Sequence, residues 1–142
     1  MHTRRTVKDW IRSAIARIEV RSNGSVISRG TGTLVAPDLV LTAMHVVADR
    51  RSETLSVAPG ELVCIFPGGE VGGAVHETAW DRLADWALVR LDETAPQRPV
   101  PMGHPPADKT RWEAFGFPDA NPEGMVFEGH VAHVGAEYQG QR

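Results

Sequence analysis

At 142 residues the chain is long enough for one domain with a buried core and too short for two complete ones. An apolar fraction of 42% with strong local patterning excludes a disordered chain, and the single cysteine, Cys64, excludes an intrachain disulfide. The net charge of −3 hides a basic arm: residues 1–30 carry seven Lys or Arg against Asp9 and Glu19, net +5, leaving −8 for the remainder. Neither a run of aromatics nor a Gly-rich element accompanies those arginines, so the arm reads as a solvated strip and not as a nucleic-acid contact. The apolar runs near the N-terminus are too short for a secretory signal or a membrane span. The expectation is a soluble, cytoplasmic protein that makes no membrane contact.

Val7, Trp10, Ile11, Ala14 and Ile15 fall at helical spacing, and Thr6 with Asp9 three residues on resembles a capping box. A short amphipathic helix is expected over about 6–14. Alternation then takes over, with Ala16, Ile18 and Val20 on one side and Arg17, Glu19 and Arg21 on the other, which is the pattern of a half-buried strand. Ser22-Asn23-Gly24 has the chemistry of a tight hairpin turn, with Val26 to Ser28 returning. Strands follow near 31–35 and 39–43, joined by a Pro37-Asp38 turn. Gly30 and Gly32 flank Thr31 at the start of the first of them and imply a bulge or a close backbone approach. His45 stands where the second strand stops, and Val46 to Ala48 suit one helical turn. The polar, turn-rich segment 49–60 reads as a surface loop.

Three more strands are expected: Glu61 to Phe66, Gly73 to Trp80, and Asp85 to Leu91. The first and last are apolar on both faces apart from Arg90, as in the middle of a barrel or sandwich. Gly68-Gly69 and Gly72-Gly73 lack the lysine and helix start of a phosphate loop and read as turns. Residues 1–91 therefore hold six or seven antiparallel strands, enough to close a small barrel. Residues 92–110 form a connector with prolines at 96, 99, 101, 105 and 106, which cannot donate to a sheet ladder. Residues 111–142 resume strand patterning over Arg111 to Phe117 and Met125 to Tyr138, too few strands to close a second barrel.

Three segments together carry a family likeness: Gly30-Thr31-Gly32-Thr33-Leu34-Val35, Val40-Leu41-Thr42-Ala43-Met44-His45-Val46-Val47, and Asp85-Trp86-Ala87-Leu88-Val89-Arg90-Leu91. They resemble the trypsin-like (chymotrypsin-fold) serine peptidases of bacterial type, in which an L-T-A-A-H segment holds the catalytic histidine and a D-[aliphatic]-A-L-[aliphatic] segment the catalytic aspartate. Ala114-Phe115-Gly116-Phe117-Pro118 and Glu128-Gly129-His130-Val131 resemble the first strands of the family's second barrel. The resemblance implies an all-β fold, an antiparallel trypsin-like barrel complete in its first half and only begun in its second, preceded by the short helix. It implies His45 as general base and acid, and Asp85 as a buried carboxylate that fixes its tautomer. No metal or organic cofactor is called for, and the partner implied is a protein or peptide substrate, with further domains of a longer chain a second candidate.

Two side chains depart from the pattern: Met44 stands in place of a small alanine and Trp86 in place of an aliphatic residue. Both are expected to fill local packing. A third departure bears on activity. The serines are at 13, 22, 25, 28, 52 and 56, none in the Gly-flanked G-x-S-G context of the family's nucleophile, and the oxyanion-hole donors of that segment are missing with it. The chain is therefore expected to be the N-terminal part of a longer endopeptidase, inactive alone. A degenerate homologue that keeps the fold as a non-catalytic protein-binding module, and a site completed by another chain, are the alternatives. His130 and His133, at an odd separation on a strand, point to opposite faces and do not make a zinc pair. Cys64 in an apolar strand reads as a buried, inert thiol. Asp81 lies four residues before Asp85 but lacks its Ala-Leu context.

Overall fold

The computed structural model describes residues 8–48, 61–103, 106–118 and 123–130. The expected loop over 49–60, the capping role of Thr6, the strand beyond His130 and the placement of His133 lie outside the described residues. A single turn of helix, α1 (Asp9–Ser13), opens the described chain, with Lys8 as N-cap and no side-chain cap bond.

Six strands close a barrel in the order β1-β2-β3-β6-β5-β4, every neighbouring pair antiparallel. They are β1 (Ile15–Ser22), β2 (Ser25–Ala36), β3 (Leu39–Thr42), β4 (Glu61–Phe66), β5 (Gly69–Asp81) and β6 (Trp86–Leu91). Closure leaves the barrel itself without an open sheet edge to template association. Between β3 and β4 lies α2 (Met44–Val47).

Local chemistry explains the connections. Asn23 and Gly24 both take positive φ, 53° and 83°, the pair of left-handed conformations that a two-residue hairpin loop needs to match strand twist. β2 is one continuous strand of 12 residues where the sequence suggested two short ones. Its glycines thin the strand without ending it: a Cβ on Gly32 would lie 2.5 Å from Val40 Cγ1 and 2.7 Å from Ile18 Cδ1, so core side chains occupy that volume. β5 likewise starts earlier than expected and takes in Gly72 and Gly73, which are strand residues and not a turn. There a Cβ would meet Asp92 Oδ2 or the Arg90 carbonyl at 2.8 Å.

The core follows the period-two pattern. Ala16, Ile18 and Val20 from β1, Leu34 from β2, Val40 from β3, Leu62, Cys64 and Phe66 from β4, and Ala87, Val89 and Leu91 from β6 are buried and form one cluster. Each large member contributes about 1.5–3 kcal/mol by leaving water. β6 was expected to be apolar on both faces apart from Arg90, yet it fully buries only alternate residues, and Trp86 is exposed along with Arg90. The polar side of β1 is less open than its alternation suggested: Glu19 is buried, in contact with Arg17 and Arg21.

The proline-rich connector is anchored to the barrel. Ala95 N–H donates to the Pro37 carbonyl at 2.9 Å and Val100 N–H to the Leu34 carbonyl at 2.8 Å, so non-proline residues supply the donors that the prolines lack. Arg98 stacks over the Trp10 ring at 4.0 Å. Beyond it, β7 (Arg111–Gly116) and β8 (Met125–His130) form a separate two-stranded antiparallel sheet. That sheet touches the barrel through the Phe117 N–H, which donates to Thr31 Oγ1 at 2.8 Å, and touches α1 through Arg12, 4.3 Å over the Phe115 ring.

Candidate active site

His45 lies within α2, one residue past its start, and not at the end of a strand as the sequence suggested. The helical turn is seated by its apolar residues: Met44, Val46 and Val47 are buried, leaving His45 between them facing out. Gly30 makes the seat. A Cβ there would fall 2.4 Å from Val46 Cγ2, so only a bare backbone lets Val46 pack against β2. Ser28 Oγ donates to the Val46 carbonyl at 2.7 Å, satisfying a helix-end acceptor. Thr42 is buried and donates its hydroxyl to the Thr31 carbonyl at 2.8 Å, locking the end of β3 to β2 just before α2.

Asp85 reaches the same place from the other side. It is the last residue of the loop 82–85 between β5 and β6, and its φ of +60° is a left-handed conformation uncommon outside glycine, though aspartate tolerates it better than most. That backbone turn aims the carboxylate at α2. Oδ2 lies 2.7 Å from His45 Nδ1, and Oδ1 accepts the His45 backbone N–H at 2.9 Å.

Desolvation is the largest single influence on this carboxyl and pushes its pKa up, but hydrogen bonds from the His45 ring, the His45 N–H and the Met44 N–H, with attraction to the imidazole, together hold it below its ordinary value. Asp85 is thus ionised at neutral pH and can only accept. Nδ1 must then carry the ring proton, and the Nε2 lone pair is the basic position. The pair is less enclosed than the sequence implied: the His45 side chain is 55% exposed and the Asp85 side chain 45%. Water screens the interaction, so its worth lies in orientation more than in stability.

The other departures resolve differently. Met44 is buried and fills the barrel end as expected, whereas Trp86 keeps 37% of its surface and is not a core filler. Asp81 bonds within its own loop. Its Oδ1 accepts the N–H groups of Leu83 and Ala84 at 2.9 and 3.0 Å, a local turn that nothing in the reading of the sequence singled out. Cys64 is fully buried, and desolvation pushes its thiol up to about 12. Among the described residues, Ser13 Oγ donates to the Asp9 carbonyl and Ser28 Oγ to Val46, both bonds to backbone.

A closed antiparallel barrel that brings a histidine and a carboxylate together, one from the helical turn after its third strand and one from the loop before its sixth, is the architecture of a peptidase half. The chain belongs to the trypsin-like peptidase domain family, whose model matches residues 30–142. A 78-residue segment is 38% identical to the mitochondrial serine protease HTRA2 of Bos taurus, covering 54% of this chain and 15% of that protein. The fold is similar to the crystal structure of a serine endoprotease from Yersinia pestis, with a TM-score of 0.67 and 17% identity over 92% of this chain and 47% of that one. It is also similar to the Rv3671c protease in an inactive form, with a TM-score of 0.63 and 17% identity over 87% of this chain and 54% of that one. The chain therefore spans about half the length of these structures and a smaller share of the curated relative.

Proposed function

We propose that the chain supplies the acid-base half of a serine endopeptidase site, with His45 as general base and acid and Asp85 as its orienting partner. The observation that supports this most is the double hold of Asp85 on His45, through Nδ1 at 2.7 Å and the backbone N–H at 2.9 Å. The two bonds fix both the ring tautomer and its direction, leaving Nε2 free of the role of donor. In the reaction, Nε2 takes the proton of a serine hydroxyl as its oxygen attacks the scissile carbonyl. The imidazolium formed is stabilised by the Asp85 carboxylate and returns the proton to the leaving amine. The substrate is a protein or peptide. The nucleophile and the oxyanion donors belong to residues outside these 142, beyond a barrel over 1–91, a connector over 92–110 and the opening strands of a second barrel over 111–142.

The test joins this chain to the coding sequence that follows it in its gene. If a G-x-S-G segment lies there, the extended protein hydrolyses peptide esters, His45→Ala abolishes turnover, and Asp85→Asn lowers kcat by about 10⁴ through the wrong tautomer. The 142-residue chain alone hydrolyses nothing. Turnover that survives His45→Ala would sink the assignment. A gene that ends at Arg142 with no partner restoring turnover would favour the alternative, a non-catalytic protein-binding module on the same fold.

A further inference from the structure

We propose that Asp81 is a positioning residue for the His45–Asp85 pair, acting through the loop that carries Asp85; this rests on the reading of that pair as an acid-base site. The loop 82–85 joins β5 to β6, with Asp81 and Trp86 paired across its base. All six residues from Asp81 to Trp86 are exposed, and Leu83 at the tip is 98% exposed, so no apolar burial shapes the loop. Its conformation has to come from hydrogen bonds. Two sets are present. At the far end Asp85 bonds to His45, and at the near end Asp81 Oδ1 gathers the N–H groups of Leu83 and Ala84.

The order of causes along the chain matters. Asp85 sits at φ +60°, a conformation that an L-residue does not hold by preference. Fixing residues 83 and 84 against Asp81 delivers the chain into that turn before any contact with His45 is made. Without the near anchor, the bonds to His45 would have to select the loop conformation as well as orient the ring, and the ordering cost of the exposed loop opposes them. The anchor is local and geometric: a short side chain with an acceptor oxygen one carbon beyond Cβ is what an Asx turn requires. Charge is not needed, since asparagine presents the same oxygen.

The 142-residue chain, labelled with ¹⁵N at histidine, provides the readout without any need for turnover. The wild type is expected to show a downfield Nδ1–H resonance from His45 that disappears in Asp85→Ala. Asp81→Ala is expected to lose that resonance and to raise the titration midpoint of the Asp85 carboxyl, with the amide spectrum of β1–β4 unchanged. Asp81→Asn retains both wild-type properties, and Asp81→Glu, which keeps the charge but reaches too far, behaves as Asp81→Ala. Should Asp81→Ala fail to fold, the contrast between Asp81→Asn and Asp81→Glu decides the matter. A folded Asp81→Ala with an unaltered Nδ1–H resonance overturns the positioning role and leaves the pair intact. Asn and Glu variants that behave alike overturn it too. A wild type without the resonance overturns the pair itself and the positioning role with it.

Discussion

The Asp85 carboxylate grips His45 at two points, ring Nδ1 through Oδ2 and backbone N–H through Oδ1. Its pKa is held below the ordinary 3.8 although desolvation alone would raise it. The sign of the pH dependence follows. A carboxyl whose folded value is depressed favours the folded geometry at neutral pH and loses that contribution as pH falls through the depressed value. Carboxyl ¹³C shifts of Asp85 are expected to titrate with a midpoint under 3.8, and the paired geometry is expected to loosen only below that pH. In His45→Ala the ring bond and its attraction are gone, so the midpoint moves up; a midpoint that stays put would assign the depression to the backbone donors alone.

Gly30 and Val46 define how α2 is seated. Because a Cβ at position 30 would lie 2.4 Å from Val46 Cγ2 and 2.7 Å from Cγ1, Gly30→Ala forces the helical turn outward and carries His45 with it. Overpacking of this kind costs about 1–3 kcal/mol. Urea unfolding of the single variants and of Gly30→Ala/Val46→Ala forms a cycle, and the added alanine is expected to cost less once Val46 has been cut back, with a coupling of roughly 0.5–3 kcal/mol. Additive effects would place the strain elsewhere.

Cys64 packs into the barrel core with its thiol pushed up to about 12 by desolvation alone. Iodoacetamide acts on the thiolate, so the native protein is expected to resist labelling at pH 8 while the urea-unfolded chain is modified readily. Labelling of the native form at the unfolded rate would show that β4 opens locally far more often than a closed barrel should.

The parts of this molecule that could be read in the sequence are those in which local pattern and fold agree. Alternation along β1, the Asn23-Gly24 turn and the apolar run of β4 each specify their structure within a few residues, and the histidine and aspartate segments bring their own context. What escaped depends on contacts distant in the chain or on backbone angles. That β2 runs unbroken through Gly30 and Gly32 is decided by Val46, Val40 and Ile18, which fill the space the glycines leave. That Trp86 faces outward follows from the barrel having a single core. The half-exposed state of the pair was not legible because both residues sit on the rim, His45 in a four-residue helical turn and Asp85 in an exposed loop. Asp81 does carry a signal: an aspartate at the head of a short connection accepts from the amides two and three residues on and is a turn former by chemistry.

Thr31 links the barrel to the sheet of β7 and β8 and to the end of β3. Its carbonyl accepts the Thr42 hydroxyl at 2.8 Å, and its own hydroxyl accepts the Phe117 N–H at 2.8 Å. A Cβ on Gly116 would come within 3.3 Å of the same hydroxyl, so the two chains approach closely here. Thr31→Val keeps the shape and removes the acceptor, stranding a part-buried N–H at a cost of about 1–3 kcal/mol. The loss falls on the junction and not on the barrel, because the Thr42 bond to the carbonyl survives the substitution. Amide exchange at Phe117 is therefore expected to accelerate in Thr31→Val while β1 and β4 amides stay protected, and Thr31→Ser is expected to restore slow exchange at Phe117. Uniform acceleration across the barrel would instead make Thr31 a determinant of global stability, and unchanged exchange at Phe117 would mean that the arginine stack on Phe115 holds the sheet without it.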